Sequence, residues 1–314
     1  MLTGFRILDP GWQTTIQDEG RPRLRRFGIP CSGALDQFSL QVSNLLVGNR
    51  PGAAGLETVL QGLCLEAVGS VIVAVTGGDL SAEWNGQPAP LWTSFRMASG
   101  DRLRFRCHQN GCRACVALRG GVAAPQYLGS CSTFARGGMW RNLQRGDLLP
   151  ANDPAPLSPW SQMRSLAPAL RPRPTSDYRV RVIIGPHQDR FTHDGLHTFL
   201  TARYRISSRS DRQGFRTEGP PVATTHGSDI ISDPTPVGSV QVPGDGQPII
   251  LLRDGQTTGG YARIAAVISS DLDQFGRMMP ADTVRFESVS REAALDAAAR
   301  RRRLLRYLTA AFAD

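Results

Sequence analysis

The chain has 314 residues, of which 40% are hydrophobic and 20% charged; that is enough for about two domains, and the composition excludes wholesale disorder. Its formal net charge is +9, and all 36 of its basic residues are arginine. Without lysine there is no Walker-type phosphate lysine, no Schiff-base lysine for pyridoxal phosphate and no attachment point for biotin or lipoate. The densest basic run, Arg300 to Arg303, comes with no groove-reading motif and is expected to be a solvated helix face, so no nucleic-acid partner is expected. No apolar run approaches the length of a membrane span, and the start of the chain lacks a basic-then-apolar targeting pattern. The expected compartment is the cytoplasm, with the six cysteines as thiols.

In chain order, Leu2 to Asp9 reads as a strand. A helix follows Asp36, which can cap it, with Phe38, Val42, Leu45 and Leu46 on one stripe and Gly48 at its left-handed end. The runs starting at Gly55, Ser70, Arg102 and Cys112 are short, β-branched or alternating, and read as strands. Residues 151–177 crowd prolines without any period and read as a linker between a domain over 1–150 and another over 178–314. Strand signals return from Tyr178, Gly238, Pro248 and Ile264. A short helix capped by Thr192 interrupts them, with Leu196, Phe199 and Leu200 on its buried side. A terminal helix begins at Ser290, with Leu295, Leu304, Leu305 and Leu308 as its apolar side. The ten residues from Arg96 and the ten from Arg277 share five identities, which suggests two similar halves in tandem.

Two clusters resemble metal sites. Cys107, His108, Cys112 and Cys115 contain a CxxC, but the alternation after Arg113 favours a strand with small core fillers, and no second paired motif follows. His193 and His197 share a helix face, opposite Leu196 and Leu200, and read as solvent-exposed. No metal is expected. No G-x-S-x-G elbow exists, and Ser32 in "CSGALD" is the nearest approach to a serine nucleophile. Three polar loops have compositions suited to binding, starting at Gln17, Ser207 and Arg253.

At these loops the sequence becomes similar to a known family. "GWQTTIQDEGR", "GIPCSGALD", "NLLVGN", "LGSCST", "SDRQGFRTEGP", "VQVPGDGQPIIL" and "DGQTTGGY" resemble, in order, the carboxyltransferase-domain family. That family includes the C subunit of 5-oxoprolinase, the antagonist of a sporulation kinase inhibitor, and part of urea carboxylase. The resemblance implies a mainly β fold of two tandem cyclophilin-like β-barrel domains with a few short helices and a C-terminal helix. It implies partners, in the 5-oxoprolinase case subunits A and B, the second of these being of related fold. The reaction would be ATP-dependent opening of 5-oxo-L-proline to L-glutamate, with ATP used by the complex and no cofactor bound by this chain. Two alternatives accompany it: a carboxyltransferase component of a biotin-dependent urea or amide carboxylase, and a non-catalytic regulatory subunit. The sequence departs from the family's pattern at Cys31, Cys115, Gly255 and Ala262.

The expected site joins Asp36, Arg212 and the stretch from Asp254 to Gly260. Asp254 or Asp36 would relay a proton, and Arg212 would hold a substrate carboxylate through its planar fork. Thr257, Thr258 and backbone N–H groups near Gly259 would donate to a developing oxyanion, with Ser32, Gln256 and Gly260 completing the substrate-binding set. For Asp36 a plain helix cap, and for Asp254 a plain turn role, stay open.

Overall fold

Glycine- and proline-punctuated apolar runs form most of the secondary structure in the computed structural model, which describes residues 3–153 and 163–313. The chain separates into two units: Met1–Arg21 with Ser32–Pro174 and Leu305–Asp314, and Pro22–Cys31 with Thr175–Leu304.

The first unit arranges its strands as two sheets. One runs Leu148–Pro150, Gly4–Pro10, Leu63–Val68, Arg102–Phe105, Ala82–Trp84, Gln87–Pro88; the other runs Gln13–Gln17, Gly55–Val59, Asn110–Leu118, Val71–Asp79, Ser94–Met97. Alternation explains their inner faces: in Arg102–Phe105 the arginines are exposed while Leu103 and Phe105 are buried. Phe5, Ile7 and Leu65 from one sheet share a core with Ile16, Val73 and Val116 from the other. Helix α1 (Gln37–Leu46) packs on the strands Val71–Asp79 and Asn110–Leu118. Its start is fixed by Asp36, whose carboxylate accepts from the Ser39 N–H at 3.0 Å and the Ser39 hydroxyl at 2.7 Å. Gly48 follows its end with φ +79°, the left-handed conformation glycine adopts at least cost.

The second unit closes seven strands into a barrel, in the order Asp177–Ile184, Arg263–Val267, Ser239–Gln241, Ile249–Leu251, Gly214–Glu218, Tyr204–Ile206, Thr283–Ser288. The closing pair, Asp177–Ile184 with Thr283–Ser288, is parallel. Val180, Val240, Ile250 and Val284 are wholly buried within it. Helix α2 (His193–Thr201), capped by Thr192 on the Gly195 N–H, stacks Phe199 on Phe286 at 4.5 Å. The short helix α3 (Gln274–Arg277) sets Phe275 edge-on to Phe215.

The terminal helix α4 (Arg291–Ala311) starts where Ser290 accepts from the Ala293 N–H. Its buried residues are Ala297 and Leu308, whereas Leu295 is 57% exposed; an apolar stripe read from leucines alone overlooks that the small Ala297 makes the close approach. Of the expected linker, residues 154–162, with Pro154, Pro156 and Pro159, lie outside the described residues. The part that follows them is bound to the first unit: the Arg164 carbonyl accepts from Ser94, and the Leu166 N–H donates to Trp92.

The repeated ten-residue segments build one turn twice. Asp101 accepts from the Ala98 N–H at 2.8 Å, and Asp282 accepts from the Met279 N–H at 2.7 Å. Gly100 and Ala281, at equivalent positions, have φ +88° and +76°. The same device recurs at Gln144–Asp147, so it is a turn type this fold favours, and the repeat alone does not demonstrate duplication.

Candidate functional site

In the second unit, Gly214–Glu218 pairs with Ile249–Leu251, Gly214 opposite Leu251. The pairing runs on past the strand ends, as Leu252 N–H donates to the Gln213 carbonyl and Asp254 N–H to the Arg212 carbonyl. This register sets Arg212 opposite Asp254. The guanidinium donates from Nε to Asp254 Oδ2 at 2.8 Å and from Nη2 to Oδ1 at 3.3 Å, both side chains being only 10% exposed. The carboxylate that occupies the Arg212 fork is therefore one from its own chain. Gly255 is needed here because an added Cβ would lie 2.6 Å from the Gln213 carbonyl.

Past this pair the backbone is held by a residue that the sequence did not single out. Arg25, in the 3-10 turn Arg25–Phe27, donates to three carbonyls: Gly255 at 3.3 Å, Gln256 at 2.6 Å, and Thr235. Burial pulls its guanidinium below the ordinary arginine value, with Cys31 opposing the shift. The Gln256 carbonyl also accepts from the Thr235 hydroxyl at 2.9 Å, and Thr235 N–H donates to the Thr257 carbonyl at 2.8 Å. These bonds explain why Pro22–Cys31 groups with the second unit.

The "TTGGY" stretch is largely a strand. Thr258–Tyr261 pairs with Asp229–Pro234 as a two-stranded ribbon, Gly259 opposite Asp233. A Cβ on Gly259 would collide with Gln241 Nε2, so glycine here permits close approach. Gln256 and Thr258 are exposed, and Thr257 and Gly260 half-buried. Next to the ribbon, Asp233 pairs with Arg263, and its Oδ2 lies 3.9 Å from His187 Nε2. His187 Nδ1 accepts the Arg263 backbone N–H at 3.1 Å, which leaves Nε2 as the protonated nitrogen of the neutral ring.

Asp36 and Ser32 belong to the first unit. Asp36, 1% exposed, is the helix cap already described, and Ser32 is wholly buried with φ +52°. A second carboxylate does more there. Asp18 Oδ1 accepts from the Ser130 hydroxyl, the Ser132 hydroxyl and the Gly20 N–H, while Oδ2 accepts from the Cys131 N–H at 2.7 Å. Arg21, 1% exposed, donates to the Tyr127 carbonyl at 3.2 Å and the Ser132 carbonyl at 2.6 Å. The motifs "QDEGR" and "LGSCST" are thus one clasp, invisible from either segment alone.

Among the described residues no three His, Cys, Asp or Glu side chains converge as a ligand set. Cys112 and Cys115 are buried on the strand Asn110–Leu118, and Cys107 is exposed. His193 and His197 are exposed on α2. No described helix is long and apolar enough to cross a membrane.

Comparison with known proteins places this geometry in a family. The C subunit of 5-oxoprolinase from Escherichia coli is 34% identical over 299 residues, 93% of this chain and 94% of that protein. Its counterpart in Haemophilus influenzae is 35% identical over 90% of this chain and 91% of that protein. The solved structure of K. lactis urea amidolyase superposes with a TM-score of 0.91 at 30% identity, covering 97% of this chain but only 20% of that much longer protein. Residues 27–288 match the family described as carboxyltransferase domain, subdomain A and B, and the chain belongs to that family.

Proposed function

We propose that this chain is the C subunit of a multi-subunit, ATP-dependent 5-oxoprolinase, which opens 5-oxo-L-proline to L-glutamate with subunits A and B. The observation that carries the reading is sequence similarity: the chain is 34% identical to the E. coli 5-oxoprolinase C subunit across 94% of that protein, and 35% identical to its H. influenzae counterpart across 91%. With no lysine in the sequence, the ATP chemistry falls to other chains, and the protein alone is expected to be inactive. Cytoplasmic location belongs to the same reading.

Lactam opening needs the amide oriented and its carbonyl oxygen stabilised as negative charge develops. In this reading Arg25 and the Arg212–Asp254 pair hold the Gln256–Gly260 backbone still. Thr257, Thr258 and N–H groups near Gly259 supply donors, and Gln256 and Gly260 line the approach. Asp254 is the proton-relay candidate, with Arg212 as its positioning partner. Asp36 and Ser32 contribute from the first unit as ordering groups.

ATP turnover with 5-oxo-L-proline, measured with and without subunits A and B, tests the reading. Activity only in the complex is expected; robust activity of the chain alone overturns it. Within the complex, Asp254→Asn and Thr257→Val are expected to lower turnover by about 100-fold or more with assembly intact, and normal turnover in both moves the site elsewhere. A second reading, a carboxyltransferase component fed by a separate biotin carrier, is favoured by the 0.91 TM-score to urea amidolyase. Avidin-sensitive, bicarbonate-dependent activity on urea would replace the first reading with it.

A further inference from the structure

We propose that Gln241 is a positioning residue of the second unit's site: its buried carboxamide fixes the glycine strand that presents the hydrogen-bond donors. The role in turnover rests on the function proposed above; the hold on the strand rests on geometry alone.

Two glycines make this strand hard to hold. Arg25 and Thr235 take up the carbonyls of Gly255, Gln256 and Thr257. Past them, Gly259 and Gly260 have no side chains to pack, and glycine is the residue with most freedom to lose. Their ribbon partner Asp229–Pro234 is itself mostly exposed. The pair Asp233–Arg263 ties that partner strand to the barrel, and Gln241 ties the glycine strand.

Gln241 ends the barrel strand Ser239–Gln241. Its pairing with Arg263–Val267 steps from Val240 opposite Ala265 to Gln241 opposite Arg263, passing over Ile264. A bulge of this kind re-aims the side chain beside it. Val240 is wholly buried in the barrel, whereas Gln241, 2% exposed, reaches the ribbon. Its Nε2 donates to the Tyr261 carbonyl at 3.3 Å, and its Oε1 accepts from Gln256 Nε2 at 3.5 Å. Val242 N–H then takes the next carbonyl, that of Ala262, at 3.1 Å. Since a Cβ on Gly259 would collide with Gln241 Nε2, the carboxamide lies against the Gly259 backbone. One side chain thus touches the stretch at Gln256, Gly259 and Tyr261.

A carboxamide suits this place because it donates and accepts without carrying charge. A carboxylate would face the Tyr261 carbonyl with no hydrogen to give, and a thioether of similar length would make neither bond. Both bonds are longer than the usual ~2.9 Å, a slack that closure around a bound substrate would take up. Donors to an oxyanion act only where they are fixed in advance, and a misplacement of about 1 Å can cost about 100-fold in rate.

The test uses Gln241→Met, which keeps the side-chain length, and Gln241→Glu, which loses only the donor. Hydrogen exchange on the full chain reads the hold: amides of residues 258–261 should exchange at least about tenfold faster in Gln241→Met, with the barrel amides unchanged. In the complex with subunits A and B, assembly being checked first, both variants should lower kcat by about tenfold or more and leave KM for ATP unchanged. In a Thr257→Val background, Gln241→Met should cost less than about twofold more, because the two residues act through one strand. Unchanged exchange at the ribbon, unchanged kcat in both variants, or full additivity with Thr257→Val overturns the proposal. Faster exchange spread over the whole barrel makes Gln241 an ordinary core residue and overturns it as well. A wild-type complex inactive on 5-oxo-L-proline overturns the 5-oxoprolinase reading and leaves the hold to the exchange result. If that complex shows avidin-sensitive activity on urea instead, the same variants decide the positioning role in that activity by the same criteria.

Discussion

In the second unit the Arg212 guanidinium closes on Asp254 and Arg25 donates to three backbone carbonyls, whereas in the first unit the buried Arg21 donates to the Tyr127 and Ser132 carbonyls beside the Asp18 carboxylate. Two buried carboxylates of the first unit are held differently, since Asp18 accepts from hydroxyls and N–H groups and Asp36 from a helix end, while Glu57 in the same unit lies 3.9 Å from the buried Arg113. A buried ion pair contributes rigidity at a high desolvation cost, and a carboxylate bound by neutral donors costs less. The same residue types thus fasten both units, through a charge pair in the second and through neutral donors around Asp18 in the first.

The largest effect should come from breaking the internal fastening. Asp254→Ala removes the carboxylate that meets the buried Arg212 charge, and about 3–5 kcal/mol of stability should be lost. Urea unfolding should show the loss in the transition of the second unit. If that transition shifts by less than about 1 kcal/mol, the pair is not what holds the turn.

Next is the clasp. In Asp18→Asn one acceptor oxygen becomes an NH₂ group facing donors, so a loss of about 2–3 kcal/mol is expected, confined to the first unit. A shift of both transitions would mean that the two units do not respond separately. Gly259→Ala should cost about 1–2 kcal/mol, because Gln241 must move and release its 3.3 Å bond to the Tyr261 carbonyl. Retained stability with lowered turnover would make the ribbon a functional rather than a structural element.

The smallest effect has the opposite sign. Tyr204 is wholly buried in the barrel, and among the described residues its hydroxyl has no hydrogen-bond partner. Tyr204→Phe should therefore be neutral or stabilising by up to about 1 kcal/mol. Burial also pushes the phenol from 10.0 up to about 12. Between those values the folded chain keeps a proton that the unfolded chain has lost, so wild-type stability should fall as pH rises through that window. The Phe variant should lack that component of the fall; identical alkaline profiles for the two proteins would show that Tyr204 is not its source.

Local structure was legible because its causes are local. The caps at Asp36 and Thr192, the left-handed Gly48 and the alternating strands each follow from residues within a few positions of one another. "TTGGY" reads as a loop because its ribbon partner Asp229–Pro234 is mostly exposed and lacks alternation, so neither strand announces itself. Arg25 does not stand out among Arg21, Arg23 and Arg26, since composition cannot say that, of these four neighbouring arginines, Arg21 and Arg25 are the ones that reach backbone carbonyls. Its acceptors lie 210 to 231 residues away, and the donors to Asp18 in "LGSCST" lie 112 to 114 away.

By itself, then, the sequence determined the element types, most helix ends, the absence of lysine chemistry and the family, because these depend on residue identity and short spacing. Only the tertiary structure decided that Arg212 meets Asp254, that Asp18 holds Ser130 to Ser132, and that Arg25 meets the Gly255, Gln256 and Thr235 carbonyls. Those choices depend on sheet register and burial, which bring distant segments together and determine whether a charge meets an opposite charge, a backbone carbonyl or a neutral donor.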